Sequence, residues 1–145
     1  MSASSRDGDY VELHCHSAFS LLDGASSPEQ LVTRAARLGQ PALALTDHDD
    51  LGGAVRFAQA AESAGVDGII GVELSVVPDD VARDDTTTDT TTDVAHVVLL
   101  AATREGYGNI ATLVTRARMD AAERGRPAVP LATLLAHARG TIALT

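Results

Sequence analysis

The sequence predicts an α/β fold in which parallel strands alternate with helices that pack outside them. Short apolar runs alternate along the chain with segments of helical periodicity. Histidines and carboxylates stand at or just beyond the ends of several apolar runs. A strand, helix, strand order is typical of a parallel sheet or barrel, and such folds build their sites at the carboxyl ends of the strands.

Length and composition fit one soluble domain or part of one. The chain has 145 residues, of which 45% are hydrophobic and 21% are charged. No apolar run approaches the ~18 residues that a membrane span requires, and the polar start lacks a secretory signal. We therefore expect a cytoplasmic protein with no membrane partner.

The first elements follow from local patterns. Residues 10–14 alternate in polarity and predict a strand. Ser27 then opens a helix as its N-cap, Gln30 completes a capping box, and Gly39 marks the end. The apolar stripe of this helix comprises Leu31, Val32, Ala35 and Leu38. The continuous apolar run 42–45 predicts a strand buried on both faces.

The later elements are read in the same way. Residues 52–64 have helical spacing, and Gly65 is the stop signal. The apolar positions of that helix are Val55, Ala58, Ala61 and Ala64. Further periodicities predict strands at 68–76, 94–101 and 142–144, and helices at 109–122 and 131–138.

Charge is unevenly distributed along the chain. The formal net charge is −9, with eleven arginines and no lysine. Binding of free nucleic acid depends on cationic contacts to phosphates, so this balance excludes strong direct binding of DNA or RNA. Segment 79–93 holds six aspartates, many threonines and one arginine, and predicts a solvated polar loop. Residues 1–9 are expected to be a disordered N-terminus.

The pair His14 and His16 is the clearest candidate for chemistry. Residues two apart on an extended segment project from one face, so both imidazoles can reach one ion, and Cys15 faces away. Imidazoles suit zinc, iron or manganese, and the carboxylates of Asp23 and Glu73 are of the type that completes a metal cluster. The single cysteine cannot form an internal disulfide.

Four segments carry a resemblance to a known family: ELHCHSAFSLLDGA at 12–25, ALTDHD at 44–49, GVEL at 71–74 and HVVLLA at 96–101. The sequence resembles the polymerase-and-histidinol-phosphatase (PHP) domain over residues 10–145. It is most similar to the form at the N-terminus of bacterial C-family DNA polymerase III alpha subunits, especially the error-prone type. The segment GYGNI at 106–110 is similar to a helix start in those polymerases.

The resemblance implies the N-terminal portion of a distorted TIM-like (β/α)7 barrel, with divalent zinc, manganese or iron ions, up to three in the complete domain. It implies six of nine family metal ligands: His14, His16, Asp23, His48, Glu73 and His96. Asp47 is expected behind these ligands, where it would orient His48 or cap the following helix rather than bind the metal itself. The remaining family ligands would follow Thr145, so we expect the domain of residues 10–145 to be incomplete at its C-terminus and, by itself, without robust turnover.

The implied function is a metal-dependent phosphoesterase site in an error-prone polymerase, acting as a 3′→5′ exonuclease or as structural support for DNA synthesis and repair. The implied partners are the rest of the alpha subunit and, through it, the primer-template. A stand-alone phosphatase similar to histidinol phosphatase is an alternative, although Asp23 and the GYGNI segment speak against it. A non-catalytic metal-binding module is the other alternative.

Overall fold

A computed structural model describes residues 10–79, 94–121 and 125–144. Within these ranges the elements in chain order are α1 Pro28–Arg37, β1 Ala42–Leu45, α2 Ala54–Ala64, β2 Asp67–Val77, β3 Ala95–Ala101, α3 Arg104–Met119, β4 Val129–Pro130, α4 Leu131–Ala136 and β5 Thr141–Leu144. The predictions of a disordered start at 1–9 and of a polar loop beyond Asp79 lie outside the described residues. In the described part of the chain, no helix combines the length and apolar character needed to cross a membrane.

The strands form a mixed sheet in the order β1-β2-β3-β5, and β4 pairs with the end of β2. β1 and β4 pair with β2 in parallel, whereas β3 is antiparallel to both of its neighbours, β2 and β5. The expectation of parallel strands throughout is therefore wrong for β3 alone. Parallel neighbours need a crossover, which is usually a helix, and segment 79–93 has no apolar repeat that would form one. The start of β3 consequently lies near the C-terminal end of β2, on the same side of the sheet as the end of β1.

The predicted first strand is an extended segment beside β1 rather than a regular strand. It forms one isolated parallel bridge, between Glu12 and Leu43. The amide of Ala44 donates to the carbonyl of Glu12, and the amide of Thr46 donates to the carbonyl of Cys15, both at 2.9 Å. These bonds fix the residues on either side of His14 against β1.

Helix α1 follows the sequence prediction at its start. The Ser27 hydroxyl accepts from the Gln30 amide, and the Gln30 side chain accepts from the Ser27 amide, which completes the capping box. Val32 and Ala35 are buried as predicted, but Leu38 is 57% exposed because it is the C-cap rather than part of the helical face.

The buried face of α2 differs from the prediction. Ala54, Phe57 and Ala61 are buried, whereas Val55 is 66% exposed. Of the four predicted positions, Ala58 and Ala64 are also exposed and only Ala61 faces the core. Both sets have helical spacing, and the set containing Phe57 removes more apolar surface from water.

Helix α3 begins at Arg104 rather than at Asn109. Thr103 caps it, because its hydroxyl accepts from the Gly106 amide at 3.0 Å. The sequence did not predict this first turn, because Gly106 and Gly108 have a low helix propensity. Gly106 packs directly on another backbone segment: a Cβ added to it would lie 1.8 Å from the carbonyl oxygen of Gly140. The short helix α4 begins where Asp79 accepts from the Ala132 amide at 2.8 Å.

All four helices cover one face of the sheet. Even-numbered residues of β2 point toward them: Ile70 packs with α1 and α2, and Val72, Leu74 and Val76 pack with α3 and α4. Ala44, Val98 and Leu100 form a smaller cluster, separate from the apolar residues that pack against the helices. Because side chains alternate along a strand, Glu73 and Ser75 face away from the helices. This arrangement matches the expected helices outside a curved sheet.

Candidate metal centre

Four imidazoles converge on the carboxylate of Glu73. Nε2 of His14 lies 2.6 Å, and Nε2 of His16 2.8 Å, from Oε2 of Glu73. Nδ1 of His96 lies 2.9 Å, and Nε2 of His48 3.7 Å, from Oε1 of the same carboxylate. The five side chains thus form two groups that could each hold a metal ion, His14–His16–Glu73 and His48–Glu73–His96, and Glu73 belongs to both.

Different segments of backbone bring these side chains together. His14 and His16 come from the extended segment beside β1, and their ring centroids are 5.1 Å apart, as expected for two side chains on one face. His48 follows β1 and forms a parallel bridge with Glu73. Glu73 lies within β2 rather than at its end, because β2 continues to Val77. His96 pairs with Ser75 at the start of the reversed strand β3.

Glu73 is buried, with only 8% of its surface exposed. Burial raises the pKa of its carboxyl group, but the hydrogen bond with His14 and the neighbouring imidazoles of His48, His14 and His16 lower it, and the net pKa is below the ordinary value. The Glu73 carboxyl group therefore ionises more readily than an ordinary glutamate, and the ionised form is the one that can bind a metal ion.

The sixth predicted ligand, Asp23, reaches the centre through His16. Its Oδ2 lies 2.6 Å from Nδ1 of His16. An imidazole whose Nδ1 proton is held by a carboxylate presents a free electron pair at Nε2, which is the common arrangement of metal-binding histidines. Asp23 is absent from both groups of converging ligand atoms found among the described residues.

The residues fit a metal ion. Nε2 of His16 is buried and has no hydrogen bond of acceptable geometry, although a carboxylate oxygen lies close to it. A buried nitrogen with a free electron pair is costly to leave without a partner, and a cation between it and Glu73 would satisfy both atoms. The mixed set of imidazole nitrogens and a carboxylate suits zinc, iron or manganese.

Comparison with known proteins agrees with this geometry. The sequence matches the PHP domain family over residues 12–145. The chain belongs to the PHP domain family. It is 47% identical over 131 residues to a protein named error-prone DNA polymerase from Mycolicibacterium paratuberculosis, a match that covers 90% of this chain and 12% of that protein. It is 43% identical to the error-prone DNA polymerase of Burkholderia mallei, over 91% of this chain and 13% of that protein. The chain thus spans only about an eighth of the length of these relatives.

Solved structures of two similar proteins share the fold. One is a candidate metal-dependent phosphoesterase from Bifidobacterium adolescentis, with 26% identity and a TM-score of 0.54 over 75% of this chain and 33% of that one. The other is an amidohydrolase from Chromobacterium violaceum, with 32% identity and a TM-score of 0.55 over the same shares of the two chains. Both likenesses support the distorted TIM-like barrel expected from the sequence.

Asp47 hydrogen bonds to the loop next to the centre, and none of its hydrogen bonds among the described residues is to an imidazole ring. It is 1% exposed, and its carboxylate accepts from the Ser17 amide at 2.6 Å, the Ser17 hydroxyl at 2.7 Å and the Ser20 hydroxyl at 2.8 Å. The Ser20 oxygen in turn accepts from the His48 amide at 2.9 Å. Asp47 therefore anchors the loop that carries Asp23 to the turn that carries His48.

The carboxylate that contacts the ring of His48 belongs to Asp49, whereas the sequence pointed to Asp47 as the residue behind the ligands. Oδ2 of Asp49 lies 3.2 Å from Nδ1 of His48, and Asp49 is 5% exposed. The sequence signal was the Asp-His-Asp run itself, in which either aspartate can turn back toward the histidine. The backbone conformation determines which aspartate contacts the ring: Asp49 adopts a left-handed φ of 48°, and its carboxylate lies beside Nδ1 of His48.

The remaining cysteine and histidine lie away from the centre. Cys15 is half-buried and packs against the apolar cluster beneath α1 and α2, so it faces away from its histidine neighbours as predicted. Burial raises the pKa of its thiol. Nδ1 of His137 lies 2.9 Å from the carbonyl oxygen of Thr133 in α4.

Proposed function

We propose that this chain forms the metal-binding part of the PHP domain of an error-prone DNA polymerase, and that the centre hydrolyses phosphoesters. The observation that carries the proposal is the position of Glu73, whose two carboxylate oxygens each face two imidazoles. A carboxylate shared in this way is suited to two ions held a short distance apart, which is the arrangement of many phosphoester hydrolases. The names of the polymerase relatives and of the phosphoesterase neighbour support the same class.

We propose the following role for each side chain. His14 and His16 hold one ion with Glu73, and His48 and His96 hold a second with the other oxygen of Glu73. Asp23, which the family resemblance implies as a direct ligand, keeps His16 in the tautomer that binds metal. Asp47 positions the loop and the turn that carry these groups.

Divalent ions bound here would supply Lewis acidity toward phosphate oxygens and make a water nucleophilic near neutral pH. Zinc is the first candidate because imidazole and carboxylate are its usual ligands in catalytic sites; manganese and iron are the alternatives. The buried Glu73 contributes a negative charge that offsets the ions, and the exposed ring of His14 marks the side from which substrate enters.

We propose that the substrate is the 3′ end of a DNA strand. The net charge of −9 disfavours binding of DNA by this chain alone, so the primer-template would be presented by the remainder of the polymerase. We further propose that the protein acts in the cytoplasm, because the relatives that it resembles are named as DNA polymerases of bacteria.

A hydrolysis assay tests the proposed function. The chain, and the longer product if its reading frame continues, is loaded with zinc or manganese and given 3′-recessed DNA or a phosphate monoester. The proposal expects the longer product to release 3′ nucleotides, and this activity should be abolished by Glu73→Gln and unchanged by His137→Ala. Hydrolysis of the monoester alone would instead indicate a small-molecule phosphatase. Metal binding without turnover of either substrate by the longer product would indicate a non-catalytic module.

A further inference from the structure

Every polar group of Asp49 forms a hydrogen bond, and together these bonds fix the turn that carries His48. The Asp49 amide donates to the Glu73 carbonyl at 2.9 Å. Its carboxylate accepts from the Ser75 amide at 2.8 Å and from the Ser75 hydroxyl at 2.7 Å. Asp49 adopts a left-handed φ of 48°, which a non-glycine residue keeps only when its surroundings hold it there.

The carboxylate of Asp49 orients the ring of His48. Because Oδ2 faces Nδ1 of His48 at 3.2 Å, the Nε2 atom is directed toward Oε1 of Glu73, 3.7 Å away. A small rotation of the turn would swing this ring out of the group that it forms with Glu73 and His96. The position of Asp49 therefore decides whether the second metal group is assembled.

Arg118 is the charged side chain that reaches this turn from α3. Its Nε donates to the Asp49 carbonyl at 3.1 Å, and its Nη2 forms an ion pair with the Asp50 carboxylate. The guanidinium therefore binds two consecutive residues of the turn at once, a geometry that the planar fork of arginine permits and a lysine does not. The neighbouring helical residues Leu113 and Ala117 are fully buried, so α3 is a fixed support.

We propose that Arg118 is a positioning residue for the second metal group. By binding the Asp49 carbonyl and the Asp50 carboxylate, it holds the turn against α3 and so keeps His48 directed at Glu73. The side chain is 52% exposed, so its ion pair contributes little to global stability, and its effect is on the position of the turn. This inference rests on the proposed metal-binding function and adds a residue that touches none of the ligands.

Cobalt titration tests the proposal, because visible absorption of Co²⁺ reports its ligand geometry. The variants are Arg118→Met, Arg118→Lys and the control Arg116→Met, which changes an exposed arginine on the same helix. Removing an outer partner of a metal ligand typically weakens binding by about 10- to 100-fold. We expect Arg118→Met to weaken the second Co²⁺ by about tenfold and to change its spectrum, with a smaller loss in Arg118→Lys and none in Arg116→Met.

The same substitution in a His96→Ala protein shows which of the two metal groups Arg118 acts on. In His96→Ala, which lacks the second group, Arg118→Met should leave the remaining Co²⁺ affinity unchanged. If Arg118→Met does not fold, Asp50→Asn removes the ion pair while keeping a side-chain oxygen, and a selective loss at the second ion is again expected. Equal behaviour of Arg118→Met and Arg116→Met, or an equal loss of both ions, would overturn the proposal. Absence of Co²⁺ binding by the unsubstituted chain would overturn both this proposal and the proposed function, whereas binding insensitive to Arg118 would overturn this proposal alone.

Discussion

Glu73 and His96 lie diagonally on neighbouring antiparallel strands, with Oε1 of Glu73 2.9 Å from Nδ1 of His96. The pairing of Ser75 with His96 and of Glu73 with Val98 places all four side chains on the face turned away from the helices. If β3 ran parallel to β2, a histidine at its start would lie near the N-terminal end of β2, away from Glu73. Reversal of this one strand therefore completes the second group of potential metal ligands, His48–Glu73–His96.

The first prediction concerns the number of ions bound. His96→Ala should remove the second group and leave His14, His16 and Glu73 in place, so that one of the two ions is lost. His137→Ala is the matched control, because His137 bonds within α4 and contacts no member of the centre. Elemental analysis after dialysis measures both. Equal metal content in the two variants would contradict the assignment of His96.

The second prediction concerns the tautomer of His16. In the zinc-loaded protein, the Asp23 carboxylate should accept the proton of Nδ1, and nitrogen NMR should show Nε2 as the unprotonated, metal-bound nitrogen. Asp23→Asn removes the negative charge and should weaken metal binding by about 10- to 100-fold. A predominantly Nε2-protonated ring in the unsubstituted protein would refute this role for Asp23.

The third prediction compares two glycines of α3. Gly106→Ala places a methyl group against the Gly140 backbone and should reduce the free energy of unfolding by about 3 kcal/mol. Gly108→Ala meets nothing within 4 Å and should increase it by about 0.5–1 kcal/mol. Urea unfolding measures both changes. Similar effects of the two substitutions would show that the contact with Gly140 is not close.

The fourth prediction concerns pH. The Arg56 guanidinium, hydrogen bonded to Glu29 at 2.6 and 3.0 Å, lowers the pKa of that carboxyl to about 2 from 4.5. A depressed pKa stabilises the folded state fully above pH 4.5 and loses its effect as the pH falls toward 2. Glu29→Gln should therefore lower the thermal midpoint slightly at pH 7 and not at pH 2. A difference that is the same at both values would contradict the assigned interaction.

Local sequence signals predicted those features that depend on neighbours in the chain. The Ser27 capping box, the Gly65 helix end with its left-handed φ of 67°, and the shared direction of His14 and His16 follow from a few adjacent residues. The convergence at Glu73 was predictable only in part, because it needed the positions of several strand ends and the resemblance to a family.

Other features depend on contacts that the sequence does not contain. The buried face of α2 was misassigned because Val55 and Phe57 both fit a helical stripe, and only packing beneath α1 selects Phe57. The contact of Asp49 with His48 depends on a left-handed backbone and on hydrogen bonds to Ser75 from a distant strand. The direction of β3 was readable in principle, since segment 79–93 has no pattern for a crossover helix.

Metal content of the chain and of its Glu73→Gln variant tests the central claim most directly. Glutamine has nearly the same shape as glutamate but lacks the charge, and Glu73 belongs to both ligand groups. After equilibration with zinc and removal of the excess, the account predicts two ions per chain in the unsubstituted protein and loss of both in Glu73→Gln. Retention of both ions by Glu73→Gln would contradict the claim that this carboxylate joins the two groups.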